Sequence, residues 1–246
     1  MKRCLGLMIV VVTIFLFSLE SRAASTFTED FNNGLSPDLS ISSWSAPNDG
    51  GFTYAITNGT LVFTQESGYR TGVVSLMTNF YLLGDFSVSV QASFQGMAGS
   101  GALSDAGLMM WYAPNPNGMQ WANLTYSRKG WGDTDPWGYY GRITQNPTQW
   151  LDAGPDGTLT IQRTGNTVAM FFNGQNVLQG FDVGGPVQPG LILSNFAGSN
   201  GYLYAVFDNL SITADGFAPV PLPSTLLLLG SGLLGMGGLA WRRLRN

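Results

Sequence analysis

The strict alternation of apolar and polar residues between Phe86 and Gln95 constrains the fold more than any other feature of the sequence. Every second residue from Phe86 to Phe94 is apolar, and the residues between them are serine or glutamine. Successive side chains of a β-strand point to opposite faces of the sheet. The segment therefore predicts a strand with one face in the core and one face in water.

Other short segments continue this pattern, with glycine and asparagine between them. Residues 157–163 and 167–172 are joined by Thr164-Gly165-Asn166, which is typical of a hairpin, and Asn173-Gly174 turns the chain again. Between residues 24 and 218 no stretch has a sustained helical period of 3.6. Further strands are predicted at residues 27–31, 52–57, 60–65, 72–77, 107–113, 120–126, 190–196 and 202–213. Together these strands predict an all-β fold, an antiparallel two-sheet sandwich.

Residues 1–23 have the pattern of a secretory signal peptide. Lys2 and Arg3 precede an apolar stretch, and Ser21-Arg22-Ala23 places small residues where a signal peptidase cleaves. We predict cleavage after Ala23. Because Cys4 is the only cysteine, the mature protein would have no disulfide although it is exported.

The C-terminal region contains a Pro-rich hinge (217–221), an uncharged span (222–241) and a basic end (242–246). The span has twenty residues, and a helix of that length is roughly 30 Å long, the thickness of the bilayer's hydrocarbon core. Arg242, Arg243 and Arg245 follow, and the positive-inside rule keeps such a cluster in the cytoplasm. The region predicts one transmembrane helix, which holds the precursor at the inner membrane with residues 24–216 outside.

The order of these three parts resembles the PEP-CTERM family of bacterial sorting signals. In that family a short Val-Pro-Glu-Pro motif precedes a Gly-interrupted apolar helix and an arginine cluster. Here the motif is Val220-Pro221-Leu222-Pro223, in which leucine replaces the glutamate as in the Val-Pro-Leu-Pro variants. The resemblance implies that an exosortase, an intramembrane cysteine protease, removes the tail and that the protein reaches the cell surface or the extracellular matrix. An ordinary membrane anchor is the alternative.

The segment between leader and tail is acidic. Residues 24–218 contain fourteen acidic and five basic residues, a net charge of −9. Such a balance argues against nucleic acid or anionic lipid as a partner of this domain. Neutral polymers and cations are compatible with it.

Three segments resemble the concanavalin A-like or laminin-G-like jelly roll: residues 27–34, residues 159–174 and residues 205–212. The resemblance implies that the first and last strands lie side by side. Lectins, carbohydrate-binding modules and some glycoside hydrolases share this fold, so the resemblance indicates a fold rather than one function.

The sequence argues against catalysis. The laminarinase-type hydrolases of this superfamily have a Glu-x-Asp-x-x-Glu strand, because retaining hydrolysis needs two carboxyl groups about 5 Å apart. After residue 23 only Glu29 and Glu66 remain among the glutamates, and neither has a carboxylate at i+2 or i+4. The absence of histidine excludes Ser-His-Asp and Cys-His systems and His-based zinc sites. We therefore predict a non-catalytic protein and retain a glycoside hydrolase as the remote alternative.

Aromatic residues between positions 111 and 150 are the main candidates for a binding site. Flat aromatic rings suit the C–H faces of sugars, and neighbouring carboxylates can hold the hydroxyls. Trp111 and Trp121 lie in strand-like segments and are assigned to the core, whereas Trp131 and Trp137 are assigned to a Gly- and Pro-rich loop. The predicted carbohydrate contacts are Trp131, Asp133, Asp135, Trp137, Tyr139 and Trp150. If these rings serve packing alone, the protein is instead a structural or adhesive matrix component without a discrete ligand site.

Asp208 is the second candidate position. It shares the parity of Val206, Leu210 and Ile212, so a regular strand would aim its carboxylate into the core, where a charge needs a partner. The jelly-roll resemblance implies a structural Ca²⁺ between the first and last strands, with Asp208, Asp30 and Glu29 as ligands. Alternatively, Asp208 caps a turn, accepts backbone N–H groups or is turned outward by a bulge.

Overall fold

A computed structural model of the chain describes residues 24–45, 51–65, 69–97, 104–112, 121–128, 137–143, 148–181, 185–200 and 202–220. The predicted signal peptide, the uncharged span and the basic end lie outside these ranges. The described residues form fifteen strands. They include no helix that is long and apolar enough to cross a membrane.

The strands form two layers, and all of their pairings are antiparallel. The front sheet contains, in spatial order, β2 (Leu39–Ser45), β5 (Tyr69–Thr78), β14 (Val187–Asn200), β7 (Ser104–Tyr112), β8 (Trp121–Arg128), β9 (Trp137–Ile143) and β10 (Gln149–Leu151). The back sheet contains β3 (Phe52–Thr57), β4 (Thr60–Gln65), β15 (Tyr202–Pro219), β6 (Phe80–Met97), β11 (Asp156–Thr164), β12 (Thr167–Phe172) and β13 (Gln175–Phe181), with β1 (Ser25–Glu29) beside β15. Among the described residues, the two layers share one strand pairing, between Val187 of β14 and Leu82 of β6.

Aromatic pairs fill the space between the layers. Phe94 of β6 stacks on Tyr126 of β8, with ring centroids 5.2 Å apart, and Tyr139 of β9 stacks on Phe172 of β12 at 3.8 Å. The apolar residues of the alternating segment, from Phe86 to Phe94, all belong to this core. The predicted two-sheet sandwich is therefore confirmed.

The predicted hairpin turns are also confirmed. Gly165 joins β11 to β12 with a φ of 57°, and Asn173 and Gly174 join β12 to β13 with φ values of 49° and 78°. Glycine and, less readily, asparagine tolerate this left-handed region because of their small or self-bonding side chains.

The two ends of the described chain lie together, as the jelly-roll resemblance implied. Strand β1 pairs with β15, with Phe27 opposite Ile212. The predicted hinge at 217–221 begins too early, however, because β15 continues to Pro219 along the start of β6. The Phe217 ring packs on Phe80 at 4.7 Å, and the Val220 N–H donates to the Asn79 carbonyl at 3.1 Å. The sandwich therefore ends at the sorting motif.

Candidate functional site

The outer face of the front sheet carries a buried polar strip. On β8 the side chains of Leu124 and Tyr126 belong to the core, so the alternate residues Asn123, Thr125 and Ser127 point to the outer face. These three polar residues, hereafter the front-face strip, are only 4%, 1% and 6% exposed. The strip therefore consists of one amide and two hydroxyl groups and contains no carboxylate.

Asn123 leaves the front-face strip with an unsatisfied acceptor. Its Nδ2 donates to Thr125 Oγ1 at 3.3 Å. Its Oδ1 is buried and has no hydrogen-bond partner among the described residues. An unsatisfied buried acceptor costs about 1–3 kcal/mol, so a hydroxyl donor from a bound molecule would be favourable here.

Asp105 adds one carboxyl group to this face. It lies directly opposite Ser127 in the β7–β8 register and is partly buried. Burial raises the pKa of the Asp105 carboxyl, while the hydrogen bond with Ser127 and the charge of Arg142 act in the opposite direction. Arg142 is exposed and lies opposite Asn123 on the other side of the strip. Asp105 is the only acidic residue in the seven strands of the front sheet.

Two aromatic rings border the strip. Tyr140 lies opposite Thr125, and Trp150 lies opposite Tyr140, with the ring centroids 6.4 Å apart. Both side chains are half-buried, and Trp150 Nε1 donates to Asp152 Oδ1 at 2.5 Å. A Cβ on Gly138 would lie 2.9 Å from the Trp150 ring, so the missing side chain lets the indole lie over β9.

Trp111 lies on this same face rather than in the core. Its neighbours Leu108 and Met110 belong to the core, and Trp111 has the opposite parity to both. It is half-buried. The assignment of Trp111 to the core is therefore corrected, whereas the side chain of Trp121 lies outside the described part.

The structure separates the predicted carbohydrate contacts. Trp131, Asp133 and Asp135 lie outside the described residues. Among the other three, only Trp150 reaches the outer face of the front sheet. Its contact with a sugar stays a prediction.

Trp137 and Tyr139 face inward, which corrects their predicted position. Trp137 begins β9 instead of lying in a loop, and its ring stacks on Tyr126 at 5.4 Å. Tyr139 is fully buried, and its hydroxyl donates to the Pro155 carbonyl at 3.0 Å. Burial raises the pKa of this hydroxyl far above its usual value. Both residues share the parity of Ile143, a core residue, so neither ring is available on the outer face.

The front-face strip itself was missed by the sequence analysis. The sequence feature that indicates this strip is an alternation of polar and apolar residues within a segment predicted as a strand. The polar residues are Asn123, Thr125 and Ser127, and the apolar ones are Ala122, Leu124 and Tyr126. That pattern identifies a polar face but does not show that the polar residues are buried.

The structure also corrects the predicted orientation of Asp208. Ala205 and Phe207 are fully buried in the core, so Asp208 has the outward parity. A register shift follows it, and Asn209 adopts a φ of 51°. Asp208 Oδ1 accepts the Asn209 N–H at 2.7 Å. Because the bulge adds one residue, Leu210 again points inward. A regular alternation therefore predicted the wrong orientation for Asp208.

Glu29 and Asp30 lie elsewhere. Glu29 is buried, and its Oε1 and Oε2 accept the N–H groups of Phe31 and Ser36, both at 2.9 Å. Hydrogen bonds with Asn32 lower the pKa of Asp30. These two acids line a cavity of about 650 Å³, whereas Asp208 lines a different cavity of about 350 Å³.

The three predicted calcium ligands therefore do not form one donor set. In the part of the chain that the structure describes, no three Asp, Glu, Cys or His side chains are grouped so that they could hold a metal. Calcium binding stays a prediction.

Comparison with known proteins identifies the tail and the fold. Residues 219–245 match the PEP-CTERM protein-sorting motif. A search of curated proteins gives no significant match. The sandwich is similar to an immunostimulatory antigen and pseudo β-1,3-glucanase of Mycobacterium tuberculosis, with 12% identity and a TM-score of 0.55 over 76% of this chain and 98% of that one.

Two further solved structures are similar to this chain. The Crh5 transglycosylase in complex with NAG is 14% identical, with a TM-score of 0.54 over 79% of this chain and 86% of that one. A prokaryotic β-1,3-1,4-glucanase from a mouse hindgut metagenome is 14% identical, with a TM-score of 0.49 over 80% of this chain and 100% of that one. At such identities the likeness shows the fold alone. The chain thus carries a PEP-CTERM sorting motif directly after a sandwich with the concanavalin A-like jelly-roll fold. The motif implies an exported, cell-surface-directed protein that an exosortase-type enzyme processes.

Proposed function

We propose that this protein is a non-catalytic carbohydrate-binding protein of the cell surface or extracellular matrix, and that the front-face strip contacts the sugar. The observation that carries the proposal is the buried Asn123 Oδ1, which has no partner in the described part of the chain. Thr125 of the same strip lies opposite Tyr140, and Trp150 follows Tyr140 on the next strand. A sugar ring offers a hydroxyl donor for the Asn123 acceptor and apolar C–H groups for the bordering aromatic rings. Aromatic rings contact the C–H face while a few convergent polar groups fix the hydroxyls.

Binding fits this face better than hydrolysis. Glycoside hydrolysis generally uses two carboxyl groups, about 5–5.5 Å apart in retaining enzymes and about 6.5–9.5 Å apart in inverting ones. The front-sheet strands supply only Asp105. The amide and hydroxyls of the strip donate and accept hydrogen bonds, but they cannot replace a second carboxylate.

Hydrolysis is the second candidate because the pKa of Asp105 is raised by burial. A carboxyl group that stays protonated can donate a proton to a leaving oxygen. Two of the compared proteins, a pseudo β-1,3-glucanase and a transglycosylase, are named for glycan chemistry, although the likeness is one of fold. An activity assay must therefore accompany the binding assay.

The precursor is held at the inner membrane by the span 222–241 until the exosortase removes it. The released domain then meets the extracellular polysaccharide. This route is supported by the sorting motif and by the net charge of −9, which does not favour anionic surfaces.

A glycan array tests the proposal with three variants. Asn123→Leu removes the unsatisfied acceptor at similar volume, Trp150→Ala removes the bordering ring, and Gln162→Ala on the exposed face of the back sheet is the control. We expect wild-type protein to bind one glycan class, the first two variants to bind it at least about tenfold more weakly, and the control to match wild type.

No binding above background, or wild-type affinity of Asn123→Leu, would refute the proposed site. Release of reducing ends by the wild type, abolished by Asp105→Asn, would replace binding with hydrolysis as the function.

A further inference from the structure

Strand β3 is an edge of the back sheet. Among the described strands only β4 pairs with it. Asn58 and Gly59, with φ values of 52° and 75°, close this hairpin, so Thr57 and Thr60 flank a two-residue turn. Such flanking residues form a hydrogen-bonded pair, and these pairs then recur at every second residue. The backbone N–H and C=O groups of Phe52, Tyr54 and Ile56 therefore point away from β4.

Within residues 52–57, the described strand, this edge has none of the usual protection against further pairing. Proteins protect edge strands with charges, prolines, bulges or short length. Residues 52–57 contain no charge and no proline, and their register with β4 is unbroken. The other four edges differ: β10 has three residues, β1 carries the charged Glu29, the register between β12 and β13 shifts within the pairing, and β2 has serine at four of its seven positions.

Tyr54 adds an exposed ring to the same edge. It has the inward parity of Phe52, which is 7% exposed, and of Ile56, which packs against the core. Tyr54 is nevertheless 53% exposed. An inward-facing aromatic ring that stays more than half exposed shows that the described residues do not cover this part of the edge.

We infer that β3 pairs with β3 of a second copy of this chain and forms an antiparallel dimer across the two back sheets. With a two-fold axis at Tyr54, the two Tyr54 residues lie opposite each other and Phe52 lies opposite Ile56 in both directions. All three are hydrogen-bonded pairs, so about six backbone bonds form. Aromatic and β-branched residues then meet across the strands, a favourable combination.

A second copy fits this edge because the register is self-complementary. The dimer is isologous, so one short segment supplies both halves of the interface. The segment carries no charge, although the domain as a whole has a net charge of −9, so the edge is a place where two copies meet without local repulsion. This inference is independent of the proposed carbohydrate site, which lies on the other sheet.

Sedimentation velocity over a concentration series tests the inference on the surface-extracted protein. Tyr54→Lys places two ammonium groups opposite each other in the dimer. Tyr204→Lys is the matched control, because Tyr204 is 36% exposed but lies on β15, which is paired on both sides. We expect wild type and control to dimerise, and Tyr54→Lys to require at least about tenfold more protein.

Cross-linking tests the register separately. In a Cys4→Ser background, Tyr54→Cys places two Cα atoms about 5.5 Å apart, within disulfide range. Ala55→Cys places them diagonally, at about 7–8 Å, beyond that range. Under mild oxidation with copper phenanthroline and oxygen, two thiols are oxidised to one disulfide, and we expect this for Tyr54→Cys only.

Three results would overturn the inference: a wild type that stays monomeric up to about 1 mM, equal association of Tyr54→Lys and wild type, or equal cross-linking at the two positions. Asn123→Leu should dimerise as the wild type does, so failure of the carbohydrate proposal would leave this result unchanged.

Discussion

Arg163 joins the two layers at one end of the sandwich, and its replacement tests how much that junction contributes. Its guanidinium is 5% exposed, and it donates through Nε and one Nη to the Gly84 carbonyl. The other Nη donates to the Gly185 carbonyl at 2.6 Å. Its Cζ also lies 4.8 Å from the centroid of the Phe86 ring. Gly185 precedes β14, so this one side chain ties a back-sheet turn to the segment that enters the front sheet.

Arg163→Met preserves most of the apolar stem and removes the donors. Two part-buried carbonyls then lose their partners, at about 1–3 kcal/mol each, and the contact with the Phe86 ring loses about 0.5–1 kcal/mol. Removing the buried charge also removes its desolvation penalty, which offsets part of this loss in stability. We therefore expect the free energy of unfolding to fall by about 3 kcal/mol, and Tm by roughly 6–12 °C for a domain of this size. Arg163→Lys keeps the charge but can reach one carbonyl at a time, so we expect about half of this loss.

Urea denaturation followed by tryptophan fluorescence measures the difference. The m-value should stay constant, because the surface exposed on unfolding does not change. Gln179→Met is the control, since Gln179 is exposed on the back sheet and a surface change is usually within about 0.5 kcal/mol. If Arg163→Met loses less than about 1 kcal/mol, or if Arg163→Lys equals wild type, the carbonyl contacts do not stabilise the junction as argued.

Two other predictions concern pH and processing. The pKa of Asp105 is raised from 3.8 by burial, so its ionisation costs stability as the pH rises above that value; Asp105→Asn should match wild type below about pH 4 and be more stable at pH 7. A urea series at both pH values checks this, and a variant that is less stable than wild type at pH 7 would contradict it. Mass spectrometry of the surface-extracted protein should show cleavage near Pro223, and retention of residues 222–246 would exclude it.

The sequence predicts those strands that have one face in the core and one face in the solvent. The alternation from Phe86 to Phe94 is visible because serine and glutamine face the solvent opposite a continuous apolar row. Short hairpins are equally visible, because Asn173-Gly174 has the residues that a left-handed turn requires.

The candidate site is predicted less well, because its glycines serve packing instead of turns. Trp137-Gly138-Tyr139-Tyr140-Gly141 has the composition of a loop but forms β9. A Cβ on Gly138 would meet the Trp150 ring, and a Cβ on Gly141 would lie 2.9 Å from Leu178 Cβ. Both reasons depend on distant residues, so local sequence contains no signal for them.

Asp208 shows a second limit. Parity along a strand predicts orientation only while the strand is regular, and the bulge at Asn209 moves every following residue to the other face. Val206 lies on the outer face before the bulge, whereas Leu210 lies on the inner face after it. One regular alternation therefore cannot assign both residues to the correct face.

Strand β15 is the last described strand of the chain, yet it lies in the middle of the back sheet, with β6 on one side and β1 and β4 on the other. The match to the sorting motif begins at Pro219, the final residue of that strand. A chain that ends before residue 202 therefore lacks both the strand that joins the two halves of the back sheet and the sorting motif.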